Sequence, residues 1–211
     1  MGVPFAKEGF PFIGVAAGLT LIAAWLGWTP VAVATAILTL FVSWFFRNPR
    51  RVVPQGPGLV VAPGDGKVLA VEEEFEPRYL KERAVRISIF LNVFDVHINR
   101  IPCHGIIEHV QYQPGLFLVA SKPHATLQNE QNAVMIKTVE GAKVLCVQVA
   151  GLIARRIVCW VNPQDRAVRG ERYGLIRFGS RMDTYVPPGT AIRIAVGERV
   201  KGGETILGEL R

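Results

Sequence analysis

The chain has 211 residues, 50% of them hydrophobic even with glycine left out, and a mean hydropathy of +0.28. That excludes a disordered chain and points to a membrane segment beside one ordinary domain. The net charge of +7 suits an anionic membrane surface or nucleic acid. Cys103, Cys146 and Cys159 are odd in number and irregularly spaced. They give neither a disulfide framework nor a CxxC site, as expected of a chain in a reducing compartment.

From Gly9 to Phe46 the chain carries no Asp, Glu, Lys or Arg. Thr29-Pro30 divides this stretch into two apolar runs, 11–28 and 31–46. As helices rising about 1.5 Å per residue, each falls just short of a hydrocarbon core of about 30 Å. The expectation is a short transmembrane hairpin, or two arms that dip into the bilayer, with Thr29 capping the second helix. A cleaved signal peptide fits less well, because Ala-x-Ala-like sites, as at Ala32-Val33-Ala34, lie inside the second run. Lys7 before the pair and Arg47, Arg50 and Arg51 after it place both flanks in the cytoplasm. This gives an N-terminal anchor over 1–50 and a basic cytoplasmic domain over 51–211, at the cell membrane. The domain shows no basic recognition helix and no aromatic-interleaved basic motif, so no nucleic-acid partner is expected.

After Arg51, short β-branched or alternating runs recur at 59–62, 67–72, 84–91, 105–112, 133–139, 143–149, 157–161, 175–178, 182–186, 191–196 and 205–210. Breakers such as Pro63-Gly64-Asp65-Gly66, Gln113-Pro114-Gly115 and Pro187-Pro188-Gly189 separate them. Many short strands between turn signals predict a mainly β domain, barrel- or sandwich-like. Residues 165–171 are expected to form one helical turn or a loop.

In an extended segment, Asp95, His97 and Asn99 share one face, with Val96 and Ile98 on the other, and the polar face marks a candidate site. His104, His109 and His124 match no usual zinc spacing, with or without Cys103, so no metal is expected. Gly179-Ser180 stands between two strands. A serine hydroxyl attacks the preceding carbonyl most easily when glycine supplies it, because glycine tolerates strained backbone and leaves that carbonyl open. The resulting N→O acyl shift gives an ester, and β-elimination then breaks the chain.

Together these motifs resemble the phosphatidylserine decarboxylase family in its short, two-transmembrane form. The resemblance rests on Phe45-Phe46-Arg47-Asn48-Pro49, Pro63-Gly64-Asp65-Gly66, the segment from Phe90 to Arg100, Asn129-Glu130-Gln131-Asn132 and Phe178-Gly179-Ser180-Arg181-Met182-Asp183. It implies a proenzyme that cuts itself between Gly179 and Ser180. The products would be a β chain, 1–179, and an α chain, 180–211, that remain together as a heterodimer. Ser180 would become a covalent pyruvoyl group, which captures the substrate amine and draws electrons from the breaking bond to the carboxylate. Phosphatidylserine would yield phosphatidylethanolamine and carbon dioxide. The resemblance gives catalytic roles to Ser180, His97 and Asp65, and possible substrate contacts to Asn99, Arg100, Asn129, Asn132 and Arg181. The long bacterial form has a second histidine where Arg100 stands, so the base for Ser180 is His97 or another histidine such as His124. Gln131 stands where the family has arginine, and Arg100 or Arg181 is the candidate substitute toward a lipid phosphate. Two other readings compete. A biotinyl/lipoyl-like binding module is suggested by residues 200–207, but it lacks a Met-Lys or Asp-Lys tip. An anchored zinc peptidase using His97 lacks a closed ligand set.

Overall fold

The computed structural model describes residues 4–116, 128–151, 156–177 and 179–211. The chain divides after Arg50 into two compact units. The first is a helical hairpin. Helix α1 (Phe10–Trp25) and helix α2 (Thr29–Phe45) each carry a proline in the first turn, where a missing N–H costs no helical bond. That is why α2 begins before Pro30. Trp28 occupies the cap position without a side-chain cap bond, so Thr29 is not the cap. The helices meet through small residues. Ala16 and Ala23 are buried, and the Thr20 and Thr39 hydroxyls lie 3.3 Å apart. Large apolar side chains point outward instead, with Leu21 and Leu40 each 71% exposed. Residues Lys7–Trp25 are long and apolar enough to cross a membrane, and Thr29–Phe45 is a shorter apolar helix. The chain enters and leaves the hairpin at one end. Phe5 pairs with Arg47, the Ala6 N–H donates to the Phe46 carbonyl at 2.8 Å, and the Asn48 N–H donates to Pro4 at 2.7 Å.

The second unit, Arg51–Arg211, is mainly β. Its strands are β1 (Leu59–Val61), β2 (Gly66–Glu76), β3 (Glu82–Leu91), β4 (Ile98–Arg100), β5 (Gly105–Gln113), β6 (Gln131–Lys137), β7 (Lys143–Ala150), β8 (Ile157–Cys159), β9 (Arg166–Ala167), β10 (Arg172–Ile176), β11 (Ser180–Val186), β12 (Ala191–Ile192), β13 (Arg199–Val200) and β14 (Ile206–Glu209). An eight-stranded antiparallel sheet runs β13-β2-β3-β11-β7-β6-β5-β9 and curls on itself. Two three-stranded sheets, β1-β14-β12 and β4-β10-β8, complete the unit. The period-2 alternation sorts side chains onto two faces. On the inner face, Met182 and Val186 of β11 pack with Ile87, Ile89 and Leu91 of β3 and with Val144, Cys146 and Ala150 of β7. On the other face, Tyr185 packs with Leu145, Val147, Val149 and Ala133.

Two local expectations are adjusted. Within 165–171, Arg166–Ala167 form strand β9, and the remainder is the expected loop. Asp95 does not continue an extended row with His97 and Asn99. Its N–H donates to the Asn92 carbonyl at 3.0 Å, and its carboxylate accepts the Asn92 N–H at 2.9 Å, which folds 92–95 into a turn. Asn and Asp side chains compete with strand pairing in this way.

Candidate active site

Ser180 opens β11 at the middle of the large sheet. It is paired with Leu91 of β3 on one side and with Ala150 of β7 on the other. Its side chain shares the inner face with Met182 and is fully buried. The Ser180 Oγ makes no hydrogen bond among the described residues, and an unsatisfied buried hydroxyl calls for an explanation. Just before it, Gly179 has φ +61°, and a Cβ placed there would meet nothing within 4 Å. The glycine therefore holds a left-handed turn that L side chains resist, in open space.

His97 is fully buried. Its carbonyl accepts the N–H of Ile176, four residues ahead of Ser180 in the chain. The His97 Nδ1 lies 3.0 Å from the Asp95 carbonyl oxygen. A carbonyl only accepts, so Nδ1 carries the proton and Nε2 keeps the basic lone pair. Asp95 is fixed in turn by the Asn92 N–H and by an ion pair with Arg199.

The asparagines gather on the same region. Asn129 donates Nδ2 to the Ala150 carbonyl at 2.7 Å, and the Ala150 N–H donates to Glu130 at 2.9 Å. These bonds fix the end of β7 facing Ser180. Asn132 donates Nδ2 to the Gln148 Oε1 at 2.9 Å, and Gln148 donates Nε2 to the Asn99 Oδ1 at 2.7 Å. All three are buried. Gln148 was not singled out from the sequence. The available signal was an amide at an inward position of a strand whose inward neighbours are Val144, Cys146 and Ala150.

The charged residues are held elsewhere. The Asp65 carboxylate accepts Arg51 Nη2 at 2.8 Å on both oxygens and the Gly202 N–H at 2.8 Å. These bonds do not join it to His97 or Ser180. What its turn contributes is Gly64, whose missing Cβ would lie 3.2 Å from Leu91, 3.5 Å from Met182 and 3.6 Å from the Asn99 Nδ2. Arg100 donates to the Gly170 carbonyl at 2.8 Å. Burial, with the nearby Arg51 and Arg172 charges, brings its guanidinium down to about 10. Arg181 lies on the opposite face of β11 from Ser180, in a buried ion pair with Asp183 at 2.9 Å. Ser88 donates to the other oxygen of Asp183 at 2.6 Å. The structure thus brings Ser180, Gly179, Asn99, Asn129 and Asn132 to one end of the sheet, with His97 tied to the strand leading there. It places Asp65 and Arg100 in a separate charge cluster. His124 and Phe178 lie outside the described residues.

The cysteines and the remaining described histidines form no alternative centre. Burial pushes the Cys103 thiol up to about 12 and raises that of Cys146 as well, so both are neutral thiols. The His104 Nδ1 accepts the Arg169 N–H at 3.4 Å, and His109 lies on β5.

The sequence matches the phosphatidylserine decarboxylase family over residues 38–208. It is 48% identical over 205 residues to the phosphatidylserine decarboxylase proenzyme of Syntrophus aciditrophicus, covering 96% of each chain. The proenzyme of Desulfotalea psychrophila is 45% identical over 208 residues, covering 99% of this chain and 97% of its own. That of Nitrosomonas eutropha is 47% identical over 206 residues, covering 98% and 95%. With a family match over most of its length and near-full-length relatives at this identity, the chain belongs to the phosphatidylserine decarboxylase family.

Proposed function

We propose that the chain is a proenzyme that cuts itself at Gly179–Ser180. The mature form then decarboxylates phosphatidylserine to phosphatidylethanolamine and carbon dioxide through a pyruvoyl group made from Ser180. The observation that carries this reading is the buried Ser180 Oγ, which has no hydrogen-bond partner among the described residues and directly follows a left-handed glycine.

In the cut, Ser180 Oγ attacks the Gly179 carbonyl carbon. His97 Nε2 takes the hydroxyl proton and returns it to the Ser180 nitrogen as the C–N bond breaks. The result is an ester between Gly179 and the Ser180 side chain. Loss of the Ser180 α-proton then breaks the Cβ–O bond, and Gly179 leaves as a carboxylate. The dehydrated residue takes up water and releases ammonia, which leaves a ketone at position 180. That ketone supplies an electron sink for the bond between the substrate α-carbon and its carboxylate. His97 Nε2 carries the proton that replaces the lost carboxylate. Asn129 and Asn132 hold β6 and β7 around the site through their bonds to the Ala150 carbonyl and to Gln148. Asp65 acts by position: its bonds to Arg51 and Gly202 brace the turn that presses Gly64 against Leu91 and Asn99. Arg100 and Arg181 are committed to Gly170 and Asp183, so the lipid phosphate falls to other groups.

The outward-facing apolar hairpin is the anchor, with both flanks on the cytoplasmic side. This is supported by its charge-free helices and by the Phe5–Arg47 pairing, which returns the chain to its point of entry. The two pieces stay joined as an α/β heterodimer. A positioned acid or base contributes roughly 10²–10⁴-fold. His97→Ala should slow self-cleavage by that order, and its cleaved fraction should decarboxylate phosphatidylserine as slowly. A variant that cleaves and turns over normally removes His97 from the mechanism. One that cleaves normally but does not decarboxylate moves the Ser180 base to another residue.

A further inference from the structure

Like Ser180 Oγ, the buried Asn99 Nδ2 makes no hydrogen bond among the described residues. Asn99 is 0% exposed, as is Gln148, which accepts from Asn132 and donates to Asn99. A chain of three amides can run in either direction, and each direction satisfies its internal bonds. The far end decides which is adopted. Here Asn132 Nδ2 donates to Gln148 Oε1, Gln148 Nε2 therefore donates to Asn99 Oδ1, and Asn99 presents its N–H donors at the other end. Those donors emerge beside Gly64, which also borders Leu91 and Met182. Leu91 is the strand partner of Ser180, and Met182 is the next inward residue of β11. A buried, pre-oriented donor at this place fits an oxygen that gains negative charge at the Gly179–Ser180 bond.

We infer that Gln148 is a positioning residue that turns the Asn99 amide so that Nδ2 donates to the oxyanion formed on the Gly179 carbonyl oxygen when Ser180 Oγ attacks. The inference rests on the self-cleavage reading above. It gives Asn99 a defined task in that step and gives a role to Gln148, to which no task had been assigned. Deleting such a donor typically slows the reaction 10²–10³-fold.

Gln148→Glu and Gln148→Met test it. The introduced carboxylate only accepts, so Asn99 must reverse and show its carbonyl oxygen to the site. Once protonated, the same carboxyl donates to Asn99 Oδ1 and restores the original direction. Burial raises its pKa, which brings this protonation into an accessible range. The methionine side chain orients nothing at any pH. Both full-length variants, purified uncut in detergent, should cleave about 10²–10³-fold more slowly at pH 8 than the wild-type chain followed by pulse labelling near neutral pH. On acidification to about pH 5.5, Gln148→Glu should recover speed relative to Gln148→Met, because only the introduced carboxyl can regain a proton to donate to Asn99. Wild-type rates at pH 8, or parallel pH slopes in the two variants, overturn the inference. If Gln148→Glu does not fold at pH 8, Gln148→Met decides alone. Slowing in a chain with an unchanged thermal midpoint supports the inference, and a wild-type rate overturns it. A wild-type chain left whole at Gly179–Ser180 would instead sink the self-cleavage reading itself.

Discussion

At the scale of single residues, the cut bond depends on one backbone torsion. Gly179 sits at φ +61° with nothing near the position of a Cβ, so a side chain there meets a torsional cost and no clash. L residues lose roughly 1–2 kcal/mol in this conformation, and asparagine tolerates it better than β-branched residues do. Gly179→Val should therefore cleave slowly and Gly179→Asn at an intermediate rate, followed as the appearance of the smaller piece on a denaturing gel. A valine variant as fast as the wild type would show that the left-handed turn is not what opens the carbonyl. The glycine–serine pair was legible in the sequence because its chemistry is local. The partner of Asp65 was not, because Arg51 reaches it from outside the motif and spacing within the motif says nothing about which cation arrives. Gln148 stayed hidden for a related reason: its meaning comes from Asn99 and Asn132, which belong to other strands.

At the scale of the element, β11 is the strand that carries the chemistry, and both of its edges and both of its faces are occupied. It pairs with β3 and β7 along its length. On the face away from Ser180, the Arg181 and Asp183 side chains are 2% and 0% exposed. Removing one partner of a buried ion pair leaves the other charge without compensation, at a cost of about 3–5 kcal/mol. Asp183→Ala, made in an uncleavable Ser180→Ala chain, should lower the thermal midpoint by on the order of 10 °C in detergent. A shift of about a degree would mean the pair contributes little. The long strands were legible because their alternation is intrinsic to the sequence, and seven-residue β11 was recognised from Met182 onward. The two-residue strands β9 and β13 carry no pattern of their own, since the strands they pair with define them. The turn at 92–95 was missed because Asn92 and Asp95 fold the backbone through their side chains.

At the scale of the whole molecule, a cut before Ser180 would release a 32-residue piece carrying β11 to β14. Those strands pair with β3, β7, β2 and β1 of the upstream piece, so the nick should not separate the two. The fragments are expected to co-purify under native conditions and part only in denaturant. The hairpin makes a separate contribution. Deleting residues 1–46 removes both apolar helices and leaves every residue of the proposed site. The truncated chain should be more soluble, should still cut itself, and should work poorly on phosphatidylserine in bilayers. If it stays on membranes after a 1 M salt wash, where the screening length falls to about 3 Å, the anchor lies elsewhere.

The most direct test of the central claim is the intact mass of the purified full chain after denaturation. The account predicts two species, 1–179 and 180–211, with the smaller lacking the mass of an N-terminal serine amine and resisting Edman degradation because it begins with a ketone. Ser180→Ala should give a single uncut species. An active wild-type chain that runs whole, or a smaller piece that begins with an ordinary serine, would contradict it.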